Sequence, residues 1–173
     1  MNILESFKPI TCFILDIDGV LTDGKVHVLE NGVQIRVMSV RDGYALQLAI
    51  KRGYRVKIIS GANAPQVMSR FTQLGITDVE MGVKDKAASI KNFIQMQGLK
   101  KQEILFMGDD IPDLLAMKEA GLATCPADAV EEIKTVADYI SPVNGGNGSV
   151  RDVIEKVLKL RGDWNEDVAV TSA

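Results

Sequence analysis

Histidine and cysteine are scarce in this sequence. Its 173 residues include one histidine and two cysteines. A site built from several histidines is therefore excluded, and His27 would have to serve any Ser-His or Cys-His pair. Cys12 and Cys125 lie in apolar contexts without paired spacing, so we expect buried free thiols and a reducing compartment, the cytoplasm. We therefore expect carboxylate side chains to carry out any catalysis.

Basic charge and long apolar segments are lacking as well. Twenty Lys and Arg residues against 23 Asp and Glu residues give a net charge of -3, which is not the footprint of a nucleic-acid-binding protein. The apolar N-terminal stretch is interrupted by Glu5, Lys8 and Asp16, so it is neither a signal peptide nor a membrane span. We expect no nucleic-acid partner and no membrane association.

Short apolar runs alternate along the chain with amphipathic helical patterns. The runs predict strands, and the helical patterns predict helices between them. The strands are expected at about 10–16, 55–60, 78–81, 104–107, 122–125 and 139–141, and the helices at about 44–52, 65–74, 86–97, 112–120, 129–137 and 150–160. This alternation predicts an α/β fold with a Rossmann-like parallel sheet and helices on both faces. No repeat or linker divides residues 1–173, so one domain is expected.

One segment, residues 25–39, breaks this rhythm. Its sequence, KVHVLENGVQIRVMS, has two alternating halves around an Asn-Gly pair and predicts a β-hairpin. Depending on the register, Val26 and Val28 share a face with Ile35 or lie opposite it. A lone hairpin is marginal in water, so it needs cover. It either folds back on its own domain or projects and is covered by another subunit, and its position just after a carboxylate pair favours the second interpretation.

That carboxylate pair is Asp16 and Asp18, at the end of the first predicted strand. Side chains two residues apart on a strand face the same side, and like charges so close repel. Either a cation lies between them or one of them carries a proton. Asp109 follows another strand, and the carboxyl ends of parallel strands meet at one edge. Three hard oxygen ligands without soft ones nearby favour Mg²⁺ over zinc or copper.

Further polar residues are expected at the same edge. Ser60 and Gly61 follow the second predicted strand, and Lys86 opens a helix after a weak strand. With Mg²⁺, they are typical of a phosphate-binding site, because a carboxylate does not approach a phosphate dianion without compensating positive charge. Asp110 is interpreted as a helix cap, with Asp113 behind it in a supporting role. Polar residues commonly follow strands as caps and turns, so their joint placement carries the hypothesis.

Four motifs, DIDGVLTDG, ISG, Lys86 and GDDIPD, resemble in order and spacing those of the haloacid dehalogenase superfamily of phosphotransferases. VRDGYAL and GGNGSVRDVIEKVL resemble more narrowly its small, cap-less branch, which contains the phosphatases of 3-deoxy-D-manno-octulosonate 8-phosphate. The resemblance covers nearly the whole chain. It implies a haloacid dehalogenase-like fold with the hairpin in place of a cap domain, and hydrolysis of that sugar-acid phosphate in lipopolysaccharide precursor synthesis.

Other functions remain open on the same scaffold. A phosphatase for a nonulosonate 9-phosphate is the enzymatic alternative, and a non-catalytic interaction module that retains the fold is the alternative of another class. A sugar-phosphate mutase is disfavoured, because residues 25–39 are too few for a cap domain.

The resemblance also implies roles for the carboxylates and their neighbours. Asp16 is the nucleophile that forms an aspartyl-phosphate, and Asp18 is the acid–base. Mg²⁺ is held by Asp16, the main-chain carbonyl of Asp18, and Asp109. Ser60, beside Gly61, and Lys86 hold the phosphate.

Substrate contacts are implied on a second set of residues, namely Ser39, Val40, Arg41, Asp42, Gly43 and Arg70. Arg41 is expected to hold the sugar carboxylate. The chain departs from the family at Ala62 and Gln47, where arginine is frequent. The resemblance further implies a homotetramer with the hairpins at its centre. It also suggests that a tail at about 161–173, which follows flexible glycines at 144–149, reaches a neighbouring active site.

Overall fold

The structure, a computed structural model, describes residues 2–165, 167 and 169–170. Its main sheet has six strands, which are β1 (Cys12–Leu15), β4 (Arg55–Ile59), β5 (Asp78–Glu80), β6 (Ile104–Met107), β7 (Leu122–Cys125) and β8 (Tyr139–Ile140). Two further strands, β2 (His27–Val28) and β3 (Gln34–Ile35), form a separate hairpin. Their spatial order is β5-β4-β1-β6-β7-β8, and every neighbouring pair is parallel. The predicted parallel sheet is confirmed.

Six α-helices cover both faces of this sheet. They are α1 (Val40–Lys51), α2 (Met68–Gln73), α3 (Lys86–Gln97), α4 (Leu114–Met117), α5 (Glu131–Val136) and α6 (Ser149–Arg161). Helices α1, α2 and α6 share one core with Phe13 and Leu15 of β1, whereas α3, α4 and α5 share the other with Cys12 and Ile14. Alternate side chains of a strand point to opposite faces, so the wholly apolar run of β1 serves both cores. None of the helices in the described part of the chain combines the length and hydropathy that a membrane crossing needs.

Three helices are shorter than the sequence pattern predicts. Pro65–Val67 and Ile111–Asp113 form tight helical turns that lead into α2 and α4, and α5 covers only part of the predicted 129–137. A proline at the start of each of the two turns fixes a helical φ without a hydrogen-bond donor, which suits a first turn.

The course of the chain creates a crevice at the carboxyl end of β1. The chain passes from β1 to β4 on one side and later crosses to β6 on the other. Such a reversal of strand order leaves a ligand site beyond the strand ends. Asp16, Ser60 and Gly108 directly follow β1, β4 and β6.

The predicted hairpin is present, with two short antiparallel strands, β2 (His27–Val28) and β3 (Gln34–Ile35). His27 pairs with Ile35, and Val28 pairs with Gln34. Directly paired residues share a face, so Val28 and Ile35 lie on opposite faces, which settles the register that the sequence left open. Residues 30–32 form the loop, where Gly32 adopts a φ of +79°.

The tail begins on the surface of its own chain. The Tyr54 hydroxyl donates to Oδ2 of Asp163 (2.6 Å), and Trp164 packs edge-on against Tyr44 of α1. Residues 166, 168 and 171–173 of the predicted tail lie outside the described residues.

Candidate active site

A pocket of about 330 Å³ opens at the carboxyl edge of the sheet. It contains every residue predicted to bind metal or phosphate, together with five neighbours. The lining residues are Asp16, Asp18, Gly24, Ser60, Gly61, Ala62, Lys86, Asp109, Asp110, Pro112 and Asp113. Five carboxylates therefore share one small space with a single lysine.

Asp16 and Lys86 form the centre of the pocket. Asp16 directly follows β1, and its N–H donates to the Met107 carbonyl of β6 (3.1 Å), which fixes its backbone between the two strands. Lys86 is the first residue of α3, where Asp85 caps the helix by accepting the N–H of Ala88. Nζ of Lys86 lies 3.0 Å from Oδ1 of Asp16. Both side chains are buried, so this pair is weakly screened by solvent.

Asp113 holds two other members of the cluster in place. Its Oδ1 accepts a hydrogen bond from Lys86 Nζ (2.6 Å), and its Oδ2 accepts the N–H of Asp109 (3.0 Å). Both of its oxygens are thereby engaged within the protein. A supporting role was predicted for Asp113, and in the structure Asp113 positions the Lys86 ammonium group and the Asp109 backbone.

The crowding of carboxylates shifts the pKa values of the cluster. Burial, reinforced by the Asp113 charge, raises the pKa of Asp16 despite Lys86. Burial, with Asp16 and Asp113 nearby, likewise raises the pKa of Asp109. For Lys86, burial lowers the pKa, but the two carboxylates outweigh it and the pKa is raised. The single positive charge of Lys86 therefore does not offset the negative charges of the carboxylates around it.

The arrangement fits a hard divalent cation. One oxygen from each of Asp16, Asp109 and Asp113 lies within 4.8 Å of the others. Among the described residues, Oδ1 of Asp109 is buried without a hydrogen-bond donor, and Oδ1 of Asp16 is buried with Lys86 Nζ 3.0 Å away but accepts no hydrogen bond of good geometry. Buried oxygens of this kind are costly unless a cation or donor meets them. The Asp18 carboxylate is not part of this group, and both Asp113 oxygens already accept bonds from Lys86 and the Asp109 N–H, so the side-chain ligands that fit are Asp16 and Asp109.

Asp18 instead pairs with Arg36, which the sequence analysis did not identify as a site residue. Arg36 Nε donates to Oδ1 (2.7 Å) and Nη2 donates to Oδ2 (3.1 Å), across 18 residues of sequence. The Thr22 hydroxyl adds a longer bond to Oδ1 (3.4 Å). One feature of the sequence could have identified Arg36 as a site residue, namely its single charge between the apolar residues Ile35 and Val37 of the hairpin.

The phosphate-binding candidates Ser60 and Gly61 lie at the end of β4, as predicted. Ser60 is buried, and its Oγ accepts the N–H of Ala62 (3.1 Å), which orients the hydroxyl at the end of β4. Gly61 lies beside it on the pocket wall. The Asp110 side chain accepts the N–H of Ile111 (2.7 Å), so its predicted capping role is confirmed.

Glycines let the loops of the site approach one another closely. Gly19 has a φ of +86°, and a Cβ there would lie 1.9 Å from Oδ2 of Asp109. A Cβ on Gly145 would lie 1.8 Å from the Gly19 carbonyl oxygen, and the Gly146 N–H donates to Val20. Segment 144–149 therefore lies beside the site as predicted. Its glycines permit close backbone packing there, because a Cβ at Gly145 or Gly146 would overlap the neighbouring backbone.

The implied substrate contacts lie elsewhere in this chain. Ser39 caps α1 by accepting the N–H groups of Arg41 (3.2 Å) and Asp42 (3.4 Å). Asp42 is only 1% exposed and accepts the Arg151 N–H (2.7 Å) at the start of α6, so the structure gives it a structural contact. Arg41 is exposed and lines a separate pocket with Arg151.

The remaining members of that set are also outside the aspartate pocket. Val40 is exposed, and Gly43 is buried against Arg70, since a Cβ on Gly43 would lie 2.4 Å from Nη2 of Arg70. The structure thus brings the catalytic, metal and phosphate candidates together in one pocket, and residues 39–43 and Arg70 are not among the residues that line it.

Comparison with known proteins agrees with this architecture. Residues 78–154 match a family model described as haloacid dehalogenase-like hydrolase. The chain is 32% identical over 165 residues to the 3-deoxy-D-manno-octulosonate 8-phosphate phosphatase KdsC of Escherichia coli (strain K12), covering 95% of this chain and 88% of that protein.

Solved structures are similar over most of their length. The 3-deoxy-D-manno-octulosonate 8-phosphate phosphatase from Yersinia pestis superposes with a TM-score of 0.90 at 29% identity, covering 93% of this chain and 87% of that one. The corresponding phosphatase from Moraxella catarrhalis, solved in complex with a magnesium ion, a phosphate ion and a KDO molecule, has a TM-score of 0.87 at 34% identity, covering 91% and 90%. With an aspartate cluster at its sheet edge and relatives matched over nearly their whole length, this chain belongs to the 3-deoxy-D-manno-octulosonate 8-phosphate phosphatase family of haloacid dehalogenase-like hydrolases.

Proposed function

We propose that this protein hydrolyses 3-deoxy-D-manno-octulosonate 8-phosphate to the free sugar acid and phosphate, in a Mg²⁺-dependent reaction of lipopolysaccharide precursor synthesis. The observation that carries the proposal is the pocket in which the buried Oδ1 atoms of Asp16 and Asp109 accept no hydrogen bond of good geometry among the described residues, although Lys86 Nζ lies close to Asp16. The Moraxella relative, solved with magnesium, phosphate and KDO, supports the same chemistry.

The Asp16 and Asp109 carboxylates and the main-chain carbonyl of Asp18 would hold the ion. Mg²⁺, when bound, supplies positive charge that offsets the crowded carboxylates and the phosphate dianion. Lys86 and Ser60 face the same pocket and would bind phosphate oxygens.

Two aspartates divide the remaining chemistry. The Asp16 carboxylate attacks phosphorus, the bond from phosphorus to the sugar oxygen breaks, and Asp18 gives its proton to the departing alkoxide. Water then attacks the aspartyl-phosphate while Asp18 takes a proton from it, which restores Asp16 and releases phosphate. No histidine is required.

We further propose that a second copy of the chain completes the substrate site. Arg41 is exposed and lies outside the aspartate pocket of its own chain, so it would bind the sugar carboxylate in the pocket of a neighbour. A single haloacid dehalogenase-like domain lacks a cap domain to close over the pocket, and a neighbouring subunit would exclude water in its place.

The hairpin offers a surface for that association. The Leu29 N–H donates to the Val33 carbonyl, which continues the pairing of β2 with β3. Leu29, Val33, Ile35 and, by alternation, Val37 therefore share one face, and all four are exposed. We name this surface the aliphatic face. The family resemblance suggests a homotetramer with these hairpins at its centre and a C-terminal tail that reaches a neighbouring site. The buried free cysteines, Cys12 and Cys125, suit the proposed cytoplasmic location.

A phosphate-release assay over a panel of substrates tests the substrate assignment. We expect a clear preference for 3-deoxy-D-manno-octulosonate 8-phosphate over a nonulosonate 9-phosphate and glucose 6-phosphate. Arg41→Ala should erode the preference over glucose 6-phosphate by about 1.5–3 kcal/mol, the scale of a charged hydrogen bond.

Arg52→Ala, an exposed arginine at the other end of α1, is the matched control and should preserve the preference. Equal catalytic efficiency on glucose 6-phosphate would contradict the assignment. No phosphate release from any substrate would favour a non-catalytic module.

A further inference from the structure

Arg36 connects the hairpin to the proposed acid–base residue. Its side chain is 4% exposed and donates to both oxygens of Asp18, whose side chain is 30% exposed on the pocket wall. We propose that Arg36 is a positioning residue, which holds the Asp18 carboxyl group in the orientation that proton transfer requires. This inference rests on the function proposed above and adds a residue to its machinery.

The geometry of the pair explains why orientation depends on Arg36. A guanidinium that bonds both carboxylate oxygens fixes the plane of the carboxylate as well as its position. The other side-chain contact of Asp18 among the described residues is the 3.4 Å bond from Thr22 to Oδ1, which is too long to fix that plane alone. When one oxygen of Asp18 carries the proton for the leaving group, the other can remain on Arg36, so the orientation survives the transfer.

The two cations near the pocket serve different carboxylates. Lys86 contacts Asp16 and Asp113, whereas Arg36 contacts Asp18. Lys86 is therefore committed to the nucleophile and its support and does not orient the acid–base residue. Loss of Arg36 would leave Asp18 near several like charges without a fixed position.

The hairpin holds Arg36 between two anchor points. Met38 forms an antiparallel bridge with Thr22, in the loop that follows Asp18. On the other side of Arg36, Ile35 is paired with His27. By alternation, Arg36 lies on the hairpin face opposite Ile35, so one face of the hairpin contacts the site while the aliphatic face remains exposed.

First-turnover kinetics with two leaving groups test the proposal. Release of the sugar acid needs a proton from Asp18, whereas p-nitrophenolate is stable enough to leave without one. We expect Arg36→Met to slow first-turnover release of the sugar acid by about 30- to 100-fold, at or just below the lower end of what a general acid supplies, because the Asp18 carboxyl group is still present, with KM changed by less than about 3-fold. First-turnover release of p-nitrophenolate should stay within about 3-fold of wild type, and Arg36→Lys should recover part of the loss.

Two comparisons exclude a merely structural effect. Lys25→Met removes an exposed cation of the same hairpin and should leave both rates unchanged. In an Asp18→Asn background, Arg36→Met should cost nothing further, because a residue that acts only through Asp18 has no effect once the carboxylate is gone.

The contrary outcomes are distinct from one another. Equal loss on both leaving groups, additive loss in the double variant, or wild-type rates in Arg36→Met would each overturn the role of Arg36. If Arg36→Met does not fold, the same first-turnover comparison is made with Arg36→Lys. Rates of Arg36→Lys that equal wild type on both substrates, or that are equally reduced on both, would then overturn the role of Arg36. A wild-type protein inactive on the sugar acid phosphate contradicts the proposed function itself.

Discussion

Lys86 and Asp113 form an ion pair of 2.6 Å in which the side chains are only 5% and 1% exposed. The pair ties the start of α3 to the turn that precedes α4, and it brings the ammonium group within 3.0 Å of Asp16. Among the residues that the structure describes, Lys86 is the only cationic one that lines the pocket, so it serves the fold and the proposed chemistry together.

Replacement of that lysine should therefore cost both stability and activity. Lys86→Met leaves Asp16 and Asp113 without their partner, and breaking a buried pair from one side costs about 3 kcal/mol or more. We expect a lower free energy of unfolding in urea and the loss of phosphate release. Lys91→Met, an exposed lysine on the same helix, is the control and should cost less than about 1 kcal/mol. A Lys86→Met protein as stable as this control would contradict the argument.

Asparagine substitutions distinguish the roles of the two aspartates of the first motif. Asp16→Asn is nearly isosteric but has no nucleophilic carboxylate, so turnover should vanish while the circular dichroism spectrum is retained. Asp18→Asn should slow turnover by about 100-fold or more, through loss of proton transfer. Both are measured as phosphate release, with the half-buried Asp23→Asn, which does not line the pocket, as the control. Turnover of Asp16→Asn near the wild-type rate would refute the covalent mechanism.

Metal binding should be visible in stability as well as in activity. EDTA should abolish phosphate release, and Mg²⁺ should restore it. Because the ion relieves repulsion in the aspartate cluster, saturating Mg²⁺ should raise the melting temperature, with about 2.7 kcal/mol gained at one hundred times Kd. Asp109→Asn should lose that shift, whereas Asp128→Asn, outside the pocket, should keep it. A full Mg²⁺ shift in Asp109→Asn would remove Asp109 from the ligand set. Ca²⁺ should bind but inhibit, because its coordination is looser.

A charge on the aliphatic face should disrupt the proposed oligomer. Ile35→Asp places an unpaired carboxylate in that apolar surface, so we expect the assembly to weaken by about 100-fold or more and activity to fall with it. Sedimentation velocity measures the change. Gln34→Asp, adjacent but on the opposite face, should leave assembly intact. An active wild-type monomer in solution would falsify the oligomer and the shared site together.

The buried Asp42 should make stability depend on pH. Burial raises its pKa from 3.8 to about 6, even though the N–H groups of Arg151, Gly148 and Val150 favour the charged form. A folded-state pKa above the unfolded value means that this group contributes stability at low pH and loses it as the pH rises through about 6. Removal of the ionisation in Asp42→Asn should flatten that dependence.

Urea unfolding at pH 4.5 and pH 7.5 checks this prediction. Raising the pH from 4.5 to 7.5 should lower the unfolding free energy of wild type relative to that of Asp42→Asn. We expect this relative loss to be at most about 3 kcal/mol. Glu131→Gln, an exposed carboxylate, should track wild type at both pH values. An unchanged difference would show that Asp42 has an ordinary pKa.

Local patterns in the sequence determined much of the architecture. The apolar run before Asp16, with its counterparts before Ser60 and Asp109, identified the strands, and a parallel sheet necessarily brings their carboxyl ends to one edge. For that reason Asp16, Ser60 and Asp109 could be named as candidates from strand ends, whereas Lys86 was named from its place at the start of a helix. The hairpin was equally visible, because alternation around Asn-Gly is a short-range signal.

Only the tertiary structure decided the contacts between segments that no periodicity relates. Arg36 reaches Asp18 because the hairpin bridges back through Met38 to Thr22, and Asp42 meets Arg151 across 109 residues because α1 packs against α6. The hairpin register depends on which strand atoms pair, and a shift of one residue would exchange its faces. Local propensities act over a few residues, whereas these contacts depend on the angles at which whole elements dock, so the sequence left them open.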